Sequence, residues 1–381
     1  MNDTFFFSAP QLKRGPLGLT LPTMSHRFAL MTVVSLGCAG RGPTVAPAEP
    51  TRRAPSELAS IIESQAYHAH LSIDGIAFLD SILYVTTNVG LLEVHGRELR
   101  HLYQWYGDDN VVSGPWSDEA RERIWLQRDH DNVLLRLDRA GWQKIALPEP
   151  PSGTYTRGDI LEGFRGIGDS AGFRLVGAGH VWKWSEPSAW AVDSTPPADE
   201  LSGTIGSARV GNRELYVVSS GGCGYLTCTN QGFWHDGGHW GAPVRLAVAS
   251  VKDVLAASHS VFVRGNQGEL LRVDRDAAVV MRTPGLCEAI ARTSDGRLIA
   301  SFRKAGIFVL DAGWRKLLDD PVPTSEGEQW AFLAEHKGVI AFATTTVPQL
   351  KSGTTDTWYE SGTLGLWVSD GARLMRVETV R

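Results

Sequence analysis

The stretch DSILYVTTNVGLLEVHGRELRHL, residues 80–102, decides how the chain is read. Ile82–Thr87 is a run of β-branched and aromatic residues. A second apolar run starts at Gly90, and a third follows the His95-Gly96-Arg97 turn. Val, Ile, Thr and Tyr suit a pleated, half-buried surface, and Gly and Asp punctuate such runs as turns. The segments are four to seven residues long, with no 3.6-residue period, so strands are predicted here rather than a helix.

The same phrase recurs down the chain. GLLEVHGRELRHL from Gly90 is followed by NVLLRLDRAGWQKI from Asn132, GHVWKWSEPSAWAV from Gly179 and GFWHDGGHWGAPV from Gly232. GELLRVDRDAAVVM from Gly268, GIFVLDAGWRKLL from Gly306 and GLWVSDGARLMRV from Gly365 complete the series. Each is a strand, a polar turn and a second strand. Upstream of most copies lies another strand, as in ILYVTT (82–87), SVFVRG (260–265) and VIAFAT (339–344), and before that a further short run such as GIAFLD (75–80), CEAIART (287–293) or WAFLAEH (330–336). Four short strands per unit, joined by Gly/Asp turns and repeated about every 35–60 residues, predict an all-β chain: a β-propeller of seven blades, each of four antiparallel strands. The third unit, 164–195, is the most weakly written. Only Pro55 to Ser64, with Leu58, Ile61 and Ile62 on one face, keeps a helical spacing.

Asp80 to Leu92 and Asp295 to Phe308 resemble the repeats of WD40-like and two-component-regulator propellers, which are found in bacterial sensor ectodomains and exported lipoproteins. The resemblance covers roughly residues 67–381 and implies the propeller fold.

Placed in this repeat, several attractive residues become structural. Asp138, Asp236, Asp274, Asp311 and Asp370 close the third strand, where a carboxylate can accept hydrogen bonds from turn N–H groups. Trp142, Trp190, Trp240 and Trp314 follow that turn and are expected to cover the gap between blades. His235 and His239 flank a Gly-Gly hairpin instead of sharing a helix face, and His68 with His70 lacks an obvious third ligand, so no metal site is expected. No nucleophile elbow, phosphate loop or EF-hand pattern occurs.

The N-terminal region sets the expected location. Phe28 to Gly37 is too short an apolar run to span a bilayer but has the length of a secretory h-region, with Met24 as an alternative start. Ser35-Leu36-Gly37-Cys38 resembles the lipobox of bacterial lipoproteins, with Ser35 where Leu is usual. That resemblance implies lipidation of Cys38, membrane contact through the lipid and, with Ala39 next, the outer membrane, facing either side. An ordinary signal peptide cut elsewhere is the other reading. The domain plan is therefore a signal region (1–37), a Pro/Ala-rich spacer (38–57) and the propeller (58–381).

Cys223 and Cys228 are close together between two strands. In an oxidising compartment they suit a small disulfide loop better than a metal pair, since zinc needs four ligands. Cys287 reads as a small buried hydrophobe. With a formal net charge of −5 and no Lys/Arg stripe, nucleic-acid binding is not expected. Two units grow between their second and third strands: SSGGCGYLTCTNQ (219–231) and TTVPQLKSGTTDTWYESGT (345–363). Tyr225, Trp358 and Tyr359 are large aromatics in these small, polar loops and are the candidate ligand-binding residues. The expected function is a lipid-anchored binding or scaffold module for an unidentified protein or small molecule, with no cofactor and no catalytic residue assigned. A propeller hydrolase or lactonase with a metal site at the central channel is the alternative.

Overall fold

The computed structural model describes residues 51–53, 73–87, 90–104, 112–118, 123–128, 133–148, 165–169, 172–177, 180–185, 189–194, 204–220, 229–321, 329–346 and 365–379. Every regular element among them is a strand. The strands form seven sheets, each built on four antiparallel blade strands. Those four pair in chain order, and the first strands contact one another around a closed ring. The chain is a seven-bladed β-propeller with the first strand of each blade at the axis.

The third strands begin within three residues of where the repeat places them, at Gly90, Val133, His180, Thr229, Leu270, Gly306 and Gly365. The weakly written third unit is a full blade, Arg165–Asp169, Gly172–Gly177, His180–Ser185 and Ala189–Ser194. Blade 4 divides its outermost position between His239–Trp240 and Val244–Leu246.

Burial explains the sequence pattern. The first strand of blade 1, Ile73–Leu79, alternates buried and half-buried residues. The second strand of blade 6, Leu298–Phe302, is buried throughout. A middle strand lies between two neighbouring blades, so both its faces leave water and its sequence becomes a continuous apolar run. Apolar side chains accordingly gather between consecutive blades. Leu91, Tyr103, Ile124 and Leu135 pack between blades 1 and 2; Ile299, Ile307, Leu333 and Phe342 pack between blades 6 and 7.

The recurrent Gly at the start of the third strand has a steric cause. Gly306 has φ +109°, and a Cβ there would lie 2.2 Å from the Leu318 carbonyl oxygen of the outer strand. Gly306→Ala should therefore cost about 1–3 kcal/mol through backbone strain and that contact, read as a lower urea midpoint. An unchanged midpoint would show that the blade adjusts freely.

Blade 1 closes the ring. Its core is shared with blade 7 through Ile73, Val85, Val94, Ala341, Ala343 and Val368. Its outermost strand, Glu98–Gln104, also receives both ends of the described chain. Thr51–Arg53 pairs antiparallel with Leu102–Gln104, and Glu378–Thr379 pairs parallel with Glu98–Leu99. Three residues of the expected spacer thus lie in a sheet. The possible helix at 55–64 lies outside the described residues.

Candidate functional site

Each blade is an up-and-down meander that starts at the axis. All second-to-third-strand turns and all links between blades therefore emerge on one face. Both long insertions belong to that face. In blade 4 the root is longer than the neighbouring hairpins because both strands continue into the segment read as loop, whereas in blade 7 the second strand alone continues, paired with the first. Ser219 and Ser220 pair with Asn230 and Thr229, and Thr345 and Thr346 pair with Trp330 and Gln329. What the sequence presented as inserted loop is in part an extended ladder. The loops themselves, with Cys223, Tyr225, Cys228, Trp358 and Tyr359, lie outside the described residues, as does Cys38.

The sequence marks Trp330 only as a strand residue. It is 44% exposed at the base of the longer insertion, directly opposite Thr345. Its position ahead of the Ala331-Phe332-Leu333 core run was the one available signal.

Five first strands carry a β-bulge near the same face, at Ile73/Gly75, Ser113/Trp116, Thr204/Gly206, Val251/Asp253 and Cys287/Ala289. A bulge re-aims a side chain that a regular ladder would hold. In blade 6 the bulged residue is Glu288, which is buried, and the Arg303 Nε–H donates to its Oε1 at 2.6 Å. Burial dominates and pushes the Glu288 carboxyl above its ordinary range, Arg303 opposes it, Asp320 adds to it and Arg264 draws it down. Arg303 also anchors its own turn, because its backbone N–H donates to the Leu286 carbonyl at 3.0 Å. In blade 5 the Arg264 Nε–H donates to Asp253. Two ion pairs, Arg264–Asp253 and Arg303–Glu288, thus involve the first strands of blades 5 and 6. Neighbouring Cys287 is buried, and burial pushes its thiol up to about 12, so it is unreactive as expected.

The other charged groups hold blades together. Between blades 3 and 4, Arg174 and Glu214 are fully buried and paired, and Ser207 and Arg209 donate to the same carboxylate at 2.7 and 2.9 Å. In blade 1, Glu93 accepts from Tyr103 Oη at 2.9 Å and lies 2.6 Å from His95 Nε2. The repeated Asp residues divide in two. Asp138 and Asp370 accept turn N–H groups, whereas Asp236, Asp274 and Asp311 take side-chain donors.

The repeated Trp residues fill gaps between blades. Trp190 Nε1–H donates to the Ala146 carbonyl of blade 2, and Trp314 Nε1–H donates to the Arg282 carbonyl beyond the outer strand of blade 5. Trp142 packs edge-on against Tyr103 of blade 1. His235 and His239 flank the Gly237-Gly238 turn, with the His235 ring 4.6 Å from that of Trp240. Among the described residues no group of three or more His, Cys, Asp or Glu could hold a metal ion. His68 and His70 lie outside them.

No protein-family model matches the chain, and no curated protein does. Solved structures share its architecture. A catalytically inactive virginiamycin B lyase from Staphylococcus aureus, solved with quinupristin, is 12% identical, with a TM-score of 0.51 over 72% of this chain and 92% of that one. The WD40 propeller domain of Doa1 is 10% identical, with a TM-score of 0.47 over 72% and 90%. The propeller domain of the Trilobed protease from Pyrococcus furiosus is 8% identical, with a TM-score of 0.46 over 81% and 98%. At these identities the likeness shows the fold alone, a β-propeller. It carries no activity across, because propellers host unrelated functions on one scaffold.

Proposed function

We propose that the chain is an extracytoplasmic binding module, held to the outer membrane by a lipid on Cys38, that captures a partner with the propeller face bearing the two long insertions. The lengthened ladders Arg213–Ser220 with Thr229–Asp236 and Gln329–His336 with Val339–Thr346 carry this reading. They lie on one face at the ends of the two segments whose sequence contains Tyr225, Trp358 and Tyr359, and Trp330 is exposed there. Loops on a packed scaffold can vary without disturbing it, and aromatic anchors supply most of the energy in many interfaces. The carboxylates Glu93 and Glu214 support the same reading, because each is already held by fixed neighbours.

Affinity capture from detergent-solubilised envelopes tests the proposal. The full-length protein should retain a partner, and Trp358→Ala should lose it while the thermal midpoint stays within about 2 °C. Retained capture with a large fall in midpoint would make Trp358 a packing residue and overturn its role as an anchor. Mass spectrometry of the mature chain should find a diacylated Cys38 at its N-terminus. A soluble product that begins elsewhere would overturn the anchor.

A further inference from the structure

The outer strands form the rim of the propeller, and each ends its sheet in an edge. Unpaired N–H and C=O groups along an edge are a template for another chain, and proteins blunt them with cover, charge or bulges. Blade 1 is covered by Thr51–Arg53 and Glu378–Thr379. Blade 2 exposes Gln143 and Lys144 there, and blade 6 exposes Arg315 and Lys316 beside a bulge. Blade 3 carries Asp193 and a bulge, blade 4 splits its outer position in two, and blade 7 ends in exposed Arg376. Blade 5 has none of these. Its outer strand, Ala278–Val280, is regular and uncharged, and no strand lies beyond it among the described residues. Val279 is 48% exposed and Val280 59%.

Hydrogen bonds at both ends of this strand fix which of its groups are free. The Asp274 N–H donates to the Ala277 carbonyl at 2.9 Å, and the Met281 N–H donates to the Leu270 carbonyl at 2.8 Å. Ala277, Val279 and Met281 therefore turn their backbone groups to the inner strand, and Ala278 and Val280 turn theirs outward. The Arg282 carbonyl, next in the outward series, is taken by the Trp314 Nε1–H at 3.1 Å. The open edge is thus short, apolar and flanked by opposite charges, Asp276 on one side and Arg282 on the other. Both are exposed, and neither side chain has an ion pair or hydrogen bond among the described residues.

This edge is complementary to itself. Two copies laid antiparallel about Val279 bring Ala278 of each opposite Val280 of the other. Outward groups then meet outward groups, and each pair exchanges both N–H···O bonds. The same register sets Asp276 of each copy opposite Arg282 of the other, and opposite charges across strands are favourable. Pairing of one patch with itself about a two-fold axis closes after two copies. We propose that the chain pairs with a second copy of itself through the blade 5 edge, in a symmetric antiparallel ladder centred on Val279. An edge this short buries far less than the ~1,600 Å² of a standard interface, so the dimer is weak, half-formed at roughly 0.1–1 mM. It lies on the rim and needs neither the insertion loops nor a membrane anchor.

Sedimentation velocity of the full chain between about 1 µM and about 1 mM tests the pairing. Wild type should pass from monomer to dimer across this range. Val280→Pro should stay monomeric with an unchanged urea midpoint, because the Val280 N–H points away from the blade. Asp276→Arg and Arg282→Asp should each weaken the dimer about tenfold, since like charges then face each other, and the two together should restore it. Oxidation should bridge Val279→Cys to its own copy, because facing residues at that position stand about 4.5 Å apart, within disulfide reach. Val192→Cys, on the exposed edge of blade 3, should give no such bridge. A monomer throughout the range would overturn the proposal, as would a dimer that Val280→Pro leaves intact. Charge reversals that weaken the dimer equally singly and together would overturn it too, and they decide alone should Val280→Pro lower the midpoint. An extended peptide of another protein held at this edge by a monomeric chain would replace self-pairing with a different partner.

Discussion

Glu214→Ala should lower the stability of the propeller by about 3–5 kcal/mol, the cost of leaving a buried charge without its partner. The seam between blades 3 and 4 explains why. Among the described residues its apolar cluster is Val176, Val181 and Tyr216, with Trp240 against them. Arg174 sits fully buried in that seam and is paired with Glu214, which is also held by Ser207 and Arg209. Burial alone would raise the Glu214 carboxyl, but Arg174 first, then Ser207 and Arg209, hold it below its ordinary value. Its contribution is therefore complete above the unfolded-state value near ~4.3 and is lost as pH falls through the lower folded-state value. Wild type should lose stability on acidification through this range, and Glu214→Ala should lack that portion of the loss. The double variant Arg174→Met with Glu214→Leu should recover most of the deficit, since apolar replacements of a buried pair are often neutral. Urea midpoints across a pH series measure all three. A single variant as stable as wild type would mean that the seam stands without the pair.

Trp125→Ala should cost a similar amount, about 3–5 kcal/mol, at the seam between blades 2 and 3. Trp125 is fully buried and lies 4.3 Å from Phe173 at an interplanar angle of 7°. Trp184 meets it edge-on at 6.0 Å, and Trp190 completes the cluster at 6.3 Å. Removing the indole takes away a large contact area and leaves a cavity that the three remaining rings on fixed strands cannot close. The Trp125 Nε1–H has no hydrogen-bond acceptor among the described residues, so Trp125→Phe forfeits no such bond and should cost markedly less. Equal losses for the Ala and Phe variants would show that something other than ring packing is at stake.

These two seams also show what can be read from a linear chain. Gly306, the Asp311 turn and Trp314 recur because each solves a problem inside one unit, a close approach, a turn or a gap. Short-range repetition exposes such solutions. Arg174 and Glu214 are 40 residues apart and meet only when two blades close on each other. Glu288 looks like an ordinary member of CEAIART, because a bulge is a property of register between two strands and not of either alone. The third blade was faint for a related reason. Its first strand, RGIGD, has one apolar residue, and Gly166 leaves room for the Trp116 ring of the blade before. The core there is supplied by a neighbour, so the strand itself does not spell it out.

The pairing of Thr51–Arg53 with blade 1 has a mechanical consequence. Among the described residues, a pull on the chain ahead of Thr51 first meets a ladder of three residues, Thr51 to Arg53 against Gln104 to Leu102. Tension from that side meets those three pairs before the axial strand that begins at Ile73. Glu378–Thr379 grips the same outer strand at a different point, so its pairing need not yield with the first. The short strand works as a sacrificial fastener: it can tear and re-form under strain while the seven-bladed ring behind it stays intact.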